Sequence, residues 1–186
     1  MHNKAIFVDR DGVLNEAEVR DGKPFAPRTV ADFQLFPDSH DAVSRLKRSG
    51  FLIVVVTNQP DIGNGLVAAS EIEAMHLRLR DLLPVDDIRV CPHSQSEGCK
   101  CRKPGIGMLV ASAAEKEIDL TRSWMIGDRS SDVEAGRDAG CFTAFINRGY
   151  AIETVAPAAN LTAPNLMIAV DRILGYRDTS HRIGDS

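Results

Sequence analysis

The sequence predicts an α/β fold, a three-layer Rossmann-like arrangement with one parallel sheet and helices on both faces. Two observations carry this. Apolar runs of strand length, such as residues 5–8 and 51–56, alternate with helical segments along the chain, and such repetition builds a parallel sheet buried on both sides. Three of the runs stop at polar clusters: Asp9-Arg10-Asp11, Thr57-Asn58-Gln59 and Gly127-Asp128-Arg129. In a parallel sheet those ends share one rim, where open α/β sheets bind ligands.

Residues 5–8 make the first strand, and Gly12 permits a turn directly after its acids. Pro37-Asp38 opens a helix that ends near Ser49, with Gly50 as its cap. Residues 51–56 are a second buried strand. Ser70-Glu71-Ile72-Glu73 fits a capping box and starts a helix to about Leu83. Residues 88–90 read as a short strand, 107–117 as a helix, and 123–126 as a strand. Residues 132–139 are helical and close at Gly140, 141–146 form a strand, and 163–174 make a last amphipathic helix. A single domain over 1–175 is expected, with 176–186 as a polar, frayed tail. Segments 15–36 and 91–106 exceed simple connectors, and long loops in compact domains are often functional.

The chain has 186 residues, 44% of them apolar and 26% charged, enough for one full core. A net charge of −4 gives a nucleic-acid partner no electrostatic support. Met1-His2-Asn3-Lys4 runs straight into the first strand, so neither a signal peptide nor a membrane span is expected. The expectation is a cytoplasmic monomer.

Asp9, Asp11 and Asp128 should converge on the rim, where three carboxylates repel unless a cation lies among them. A hard, oxygen-preferring ion such as Mg²⁺ fits. Thr57 and nearby amides can donate to an anion, and Lys103 adds a cation. A carboxylate nucleophile so surrounded suits phosphoryl transfer.

Cys91-Pro92-His93 is followed, after five residues, by Cys99-Lys100-Cys101. Three thiolates and an imidazole make a closed, structural zinc site. It would staple the loop that carries Arg102 and Lys103. Free core thiols and a Cys99-x-Cys101 redox pair are the competing readings. Cys141, in a strand pattern, reads as a plain buried thiol. His76 shares a helix with Arg78 and Arg80 and is placed on or near the solvated face. Arg20, Lys23 and Arg28 read as a solvated basic loop before a substrate-binding one.

Together, Asp9-Arg10-Asp11-Gly12, Thr57-Asn58-Gln59, the Cys-x-His/Cys-x-Cys loop, Cys101-Arg102-Lys103-Pro104 and Gly127-Asp128-Arg129 resemble the haloacid dehalogenase-like phosphohydrolases. The resemblance covers about residues 4–148. It is to the branch of the D,D-heptose 1,7-bisphosphate 7-phosphatases and histidinol-phosphate phosphatases.

That resemblance implies a Mg²⁺-dependent phosphatase with a minimal cap made of loops. Asp9 would be the nucleophile, forming an aspartyl-phosphate, and Asp11 the acid and base. Mg²⁺ would be held by Asp9, the backbone carbonyl of Asp11, and Asp128. Thr57 and Lys103 would stabilise the moving phosphoryl group. Asn58, Gln59, Arg102 and Arg129 would meet the substrate, and zinc would take Cys91, His93, Cys99 and Cys101. A heptose 1,7-bisphosphate is the leading substrate expectation, with histidinol phosphate or another sugar phosphate as the alternative. The rival from another class is a non-catalytic zinc-binding scaffold. The chain departs from the branch in two places. Pro60-Asp61-Ile62-Gly63-Asn64-Gly65 replaces Ser-Gly-Ile-Ala-Arg-Gly, and the loop 16–28 is longer and lacks Gly-Tyr-Val.

Overall fold

The computed structural model describes residues 2–152 and 158–176. A six-stranded parallel sheet has the order β5-β4-β1-β6-β7-β8. Its strands are β1 (Lys4–Val8), β4 (Phe51–Asn58), β5 (Asp87–Cys91), β6 (Trp124–Gly127), β7 (Phe142–Ile146) and β8 (Leu161–Ala163). The remaining two strands, β2 (Glu18–Arg20) and β3 (Lys23–Phe25), form an antiparallel hairpin apart from the sheet.

Side chains alternate across the sheet with the strand period of two. Ile6, Val8, Ile53 and Val55 face one core, which includes buried residues of α1 (Ser39–Arg48), α3 (Ala69–Leu82) and α6 (Leu166–Gly175). Ala5, Phe7, Val54 and Val56 face the other, with Met108 and Leu109 of α4 (Gly107–Glu115). Helix α5 (Ser130–Asp138) lies on that second face, because Gly136 sits directly over Met125 and Thr143. A short helix, α2 (Pro60–Gly63), follows β4. Each fully buried aliphatic side chain contributes about 1.5–3 kcal/mol, so these two apolar layers hold the rim in place.

The structure departs from the sequence expectations locally. Helix α3 starts one residue early, at Ala69, and makes no side-chain cap. Ser70 and Glu73, expected to form a capping box, lie inside the helix, and Glu71 beside them accepts from the Val30 N–H at 2.7 Å. Residues 161–163 pair with β7 as an added strand. The last helix therefore begins at Leu166, where Asn165 Oδ1 accepts from Ile168 N at 2.9 Å. The expected tail beyond residue 176 lies outside the described residues. Among those described, no helix is long and apolar enough to cross a membrane.

Candidate active site and metal centre

The chain emerges from β1 at Asp9 and turns at once. Gly12 makes the turn, with φ +80°, and a Cβ there would lie 1.8 Å from Asp128 Oδ2. Only glycine lets the β1 turn pass this close to the carboxylate on the neighbouring β6 loop. Gly127 does the same for Asp132, whose Cβ is 2.1 Å from where a glycine Cβ would stand.

These turns bring Asp9, Asp128 and Asp132 together, one oxygen of each within 4.8 Å of the others. Lys103 reaches into the group. Its Nζ is 2.9 Å from Asp9 Oδ1 and 2.7 Å from Asp132 Oδ1, and donates to the Val56 carbonyl at 2.7 Å. Lys103 is buried, and its backbone is paired with the Asn58 side chain.

Burial sets the electrostatics. It pushes Asp9 up to about 7, against the pull of Lys103 and with added repulsion from Asp132 and Asp11. Burial, then Asp9 and Asp132, hold Asp128 well above the usual carboxylate range. Burial works to lower Lys103, but Asp132 and Asp9 outweigh it and keep the ammonium charged. Asp128 also receives the Tyr150 hydroxyl, while its Oδ1 is buried without a hydrogen bond among the described residues. One ammonium against three carboxylates leaves the charge that one divalent cation would balance.

Asp11 points elsewhere. Its carboxylate accepts from Arg10, from Asn15 Nδ2 at 2.9 Å and from Gln59 Nε2 at 2.7 Å. The expected convergence of Asp9, Asp11 and Asp128 carboxylates is thus corrected: Asp132 takes the third place. Gln59 also donates to Thr57 Oγ1 at 2.8 Å, and Thr57 is fully buried.

Above these groups opens a cavity of about 540 Å³. Its walls include Asp9, Asp11, Asn58, Gln59, Arg102, Lys103, Asp128 and Arg129, together with Phe25 of the hairpin, Asp61 of α2 and Gln95. Both atypical loops therefore reach it, and they are joined: Arg28 Nε donates to Asp61 Oδ2 at 2.7 Å. The hairpin is held on its other side by Ala151 N, which donates to the Gly22 carbonyl at 2.9 Å.

A second cluster lies behind Lys103. Cys91 Sγ is 3.5 Å from Cys99 Sγ, 3.3 Å from Cys101 Sγ and 3.6 Å from His93 Nδ1. Cys99 and Cys101 are 3.4 Å apart, and His93 Nδ1 is 3.2 Å from Cys101 Sγ. Burial pushes the Cys91 thiol up to about 12, so a cation is needed to hold it as thiolate at neutral pH. The cluster is tied to the active site by β4–β5 pairing, in which Asn58 stands opposite Cys91 and Gln59 N donates to the Cys91 carbonyl at 2.8 Å.

Several participants escaped the sequence reading. Asp132 had a signal, an acid four residues beyond Asp128 in the first turn of a helix. Tyr150 had none. His76 is corrected outright: it is 2% exposed and faces Arg10, not solvent.

The HAD-hydrolase-like family profile matches residues 100–169. The chain is 34% identical over 160 residues to a D-glycero-beta-D-manno-heptose-1,7-bisphosphate 7-phosphatase of Pseudomonas aeruginosa, covering 83% of this chain and 87% of that one. It is 33% identical to the bifunctional histidine biosynthesis protein HisB of Campylobacter jejuni, over 75% of this chain but 40% of that protein. Among solved structures, the D,D-heptose 1,7-bisphosphate phosphatase of B. bronchiseptica, complexed with magnesium and phosphate, superposes with a TM-score of 0.80 at 29% identity, covering 92% of this chain and 98% of that one. Strand-end acids, buried lysine, parallel sheet and these relatives agree: the chain belongs to the haloacid dehalogenase-like phosphatases, in the branch that includes the heptose-bisphosphate phosphatases.

Proposed function

We propose that this phosphatase removes the 7-phosphate of a D-glycero-D-manno-heptose 1,7-bisphosphate through a phosphoryl-Asp9 intermediate. The observation that carries the reading is the Asp9–Lys103 contact of 2.9 Å on the wall of a 540 Å³ cavity, in a chain 34% identical to such an enzyme. Asp9 attacks phosphorus, and the bond from phosphorus to the sugar oxygen breaks. Asp11 gives its proton to the leaving alcohol. Asp11 then takes a proton from water, which attacks the phosphorus; the bond from phosphorus to the Asp9 oxygen breaks, inorganic phosphate leaves, and both acids are restored. Lys103 and Thr57 steady the phosphoryl oxygens. Asn58 and Gln59 line the cavity, and their amides act by orienting Lys103 and Asp11.

Asp9, Asp128 and the backbone carbonyl of Asp11 would hold Mg²⁺, which when bound neutralises phosphoryl charge. The uncompensated charge and the unpartnered Asp128 Oδ1 support that fit. Cys91, His93, Cys99 and Cys101 would hold zinc. A tetrahedron with Zn–S bonds of about 2.3 Å has edges of about 3.8 Å, near the 3.2–3.6 Å seen. Reduced cysteines in a metal cluster fit a cytoplasmic setting.

Arg102 and Arg129 line the cavity and suit a second, remote phosphate. Arg102 Nη1 is buried with no hydrogen bond among the described residues. Histidinol phosphate would instead favour the acids Glu16, Glu18 and Asp21. The cavity draws on Ala17, Pro24, Phe25 and Ala26 of that loop, and Glu18 is paired with Arg20.

Phosphate release from a panel of heptose 1,7-bisphosphate, histidinol phosphate and sugar monophosphates, with Mg²⁺ present, tests the assignment. The bisphosphate should lead in kcat/KM by about 10⁴-fold, the scale on which a site built for polar recognition rejects analogues that lack the recognised group. Comparable slow turnover of every ester would overturn it.

A further inference from the structure

Arg10 is fully buried, an unusual place for a guanidinium. One edge of it grips Asp11: Nη2 lies 3.0 and 3.1 Å from the two carboxylate oxygens, and Nε lies 3.2 Å from Oδ1. The other edge is also occupied. Its Nη1 is 3.1 Å from His76 Nε2, on α3, 66 residues along the chain. Phe33 lies 5.5 Å from the guanidinium carbon.

A guanidinium only donates, so the imidazole must accept through Nε2 and carry its proton on Nδ1. Burial and the charge of Arg10 push His76 down to about 4, which keeps the ring neutral and able to accept. The fork is planar and rigid. Fixing Nη1 therefore fixes the plane in which Nη2 and Nε meet Asp11.

We infer that His76 is a positioning residue for the reaction, acting through Arg10 to aim the Asp11 carboxylate. The inference rests on the reading of Asp11 as the acid that protonates the leaving alcohol. His76 does not line the cavity. Without its acceptor, a buried N–H of Arg10 is left unsatisfied, and the guanidinium must shift to find another. Proton transfer to the leaving group contributes about 10²–10⁴-fold and is sensitive to geometry, so partial misalignment should cost about tenfold.

The experiment compares two substrates by kcat/KM, which covers the steps through loss of the alcohol. A sugar phosphate needs that proton, whereas p-nitrophenyl phosphate, with its stable phenolate, does not. His76→Leu should lower kcat/KM about tenfold for the sugar phosphate and about twofold or less for the aryl ester, with the loss in kcat rather than KM. His76→Gln, whose Oε1 can accept where Nε2 did, should recover most of it. His76→Asn, whose Oδ1 acceptor falls short of the place Nε2 held, serves as a second variant that loses the Arg10 contact should the leucine protein not fold. Asp11→Asn, run in parallel, tests the underlying reading. If it shows no preference between the substrates, that reading fails. If it shows the preference and the His76 variants do not, the inference alone fails. Equal losses on both substrates, loss in His76→Gln as large as in His76→Asn, or folding only of the glutamine variant would mark His76 as merely structural and overturn the proposal.

Discussion

Asn58 holds the backbone of Lys103 from both sides: Nδ2 donates to the Lys103 carbonyl and Oδ1 accepts from the Lys103 N–H, each at 3.0 Å. A side chain at the end of β4 thereby sets the position of an ammonium 45 residues later. Asn58→Asp puts an acceptor where a donor stood, facing a carbonyl. Steady-state kinetics should show kcat reduced by about a hundredfold, the scale of a displacement near 1 Å, with KM changed far less. An unchanged kcat would contradict the clamp.

Asp9→Asn should abolish turnover and prevent any phosphoprotein from being trapped by acid quench. Asparagine keeps the shape of the site and replaces the nucleophilic carboxylate with a neutral, unreactive amide. The variant should still fold and carry its zinc, checked by circular dichroism and metal analysis. Surviving activity would refute the nucleophile assignment.

The Cys91, His93, Cys99 and Cys101 cluster and Lys103 share one loop, so on the proposed zinc assignment they should fail together. Cys99→Ser should lower the melting temperature and kcat in parallel, because the segment leading to Arg102 and Lys103 loses its staple. Mg²⁺ should be removable and restorable by dialysis, and zinc should resist a weak chelator. Equal melting temperatures with and without a strong chelator would count against the staple.

Asp9 makes the stability depend on pH in a stated direction. Its carboxyl is raised from 3.8 to about 7, with burial the largest cause. Between about pH 4 and about pH 7 the unfolded chain has released this proton while the metal-free folded chain retains it, so stability falls as pH rises through that window. Mg²⁺ held by Asp9, as proposed, would displace the proton. Its stabilising effect should therefore grow across the same window and level off above it. Melts with and without Mg²⁺ from about pH 5 to about pH 8 check this, and a shift independent of pH would refute it.

What was legible in the sequence was what is local. A buried parallel strand announces itself as an apolar run, and the polar residue that ends it is at the rim by construction. Asp9, Thr57 and Asp128 needed only that rule. The cysteines and His93 needed only their spacing. The misread residues depend on contacts that no short window contains. His76 looked solvated because Arg78 and Arg80 are its neighbours in sequence, while its partner Arg10 comes from β1's end. Tyr150 matters through Asp128, on a different strand connection. The hairpin of β2 and β3 is exposed on both strands, so it lacks the apolar pattern that reveals a strand. Leu161, Thr162 and Ala163 form a strand through pairing with β7, not through a run of their own.

The β4–β5 register, with Asn58 opposite Cys91, has a consequence for how this chain can vary. Cys91 of the cluster and the clamp on Lys103 form one rung of the ladder, joined further by the Gln59–Cys91 backbone bond. A descendant that discards the Cys91, His93, Cys99 and Cys101 cluster must supply another restraint on the far side of Asn58, or its lysine drifts. The four cluster residues and Asn58 should therefore be kept or lost as a set, together with Gly63 of α2, whose N–H donates to the Pro92 carbonyl at 2.9 Å, while the hairpin, which stands apart from the sheet, is free to change with the substrate.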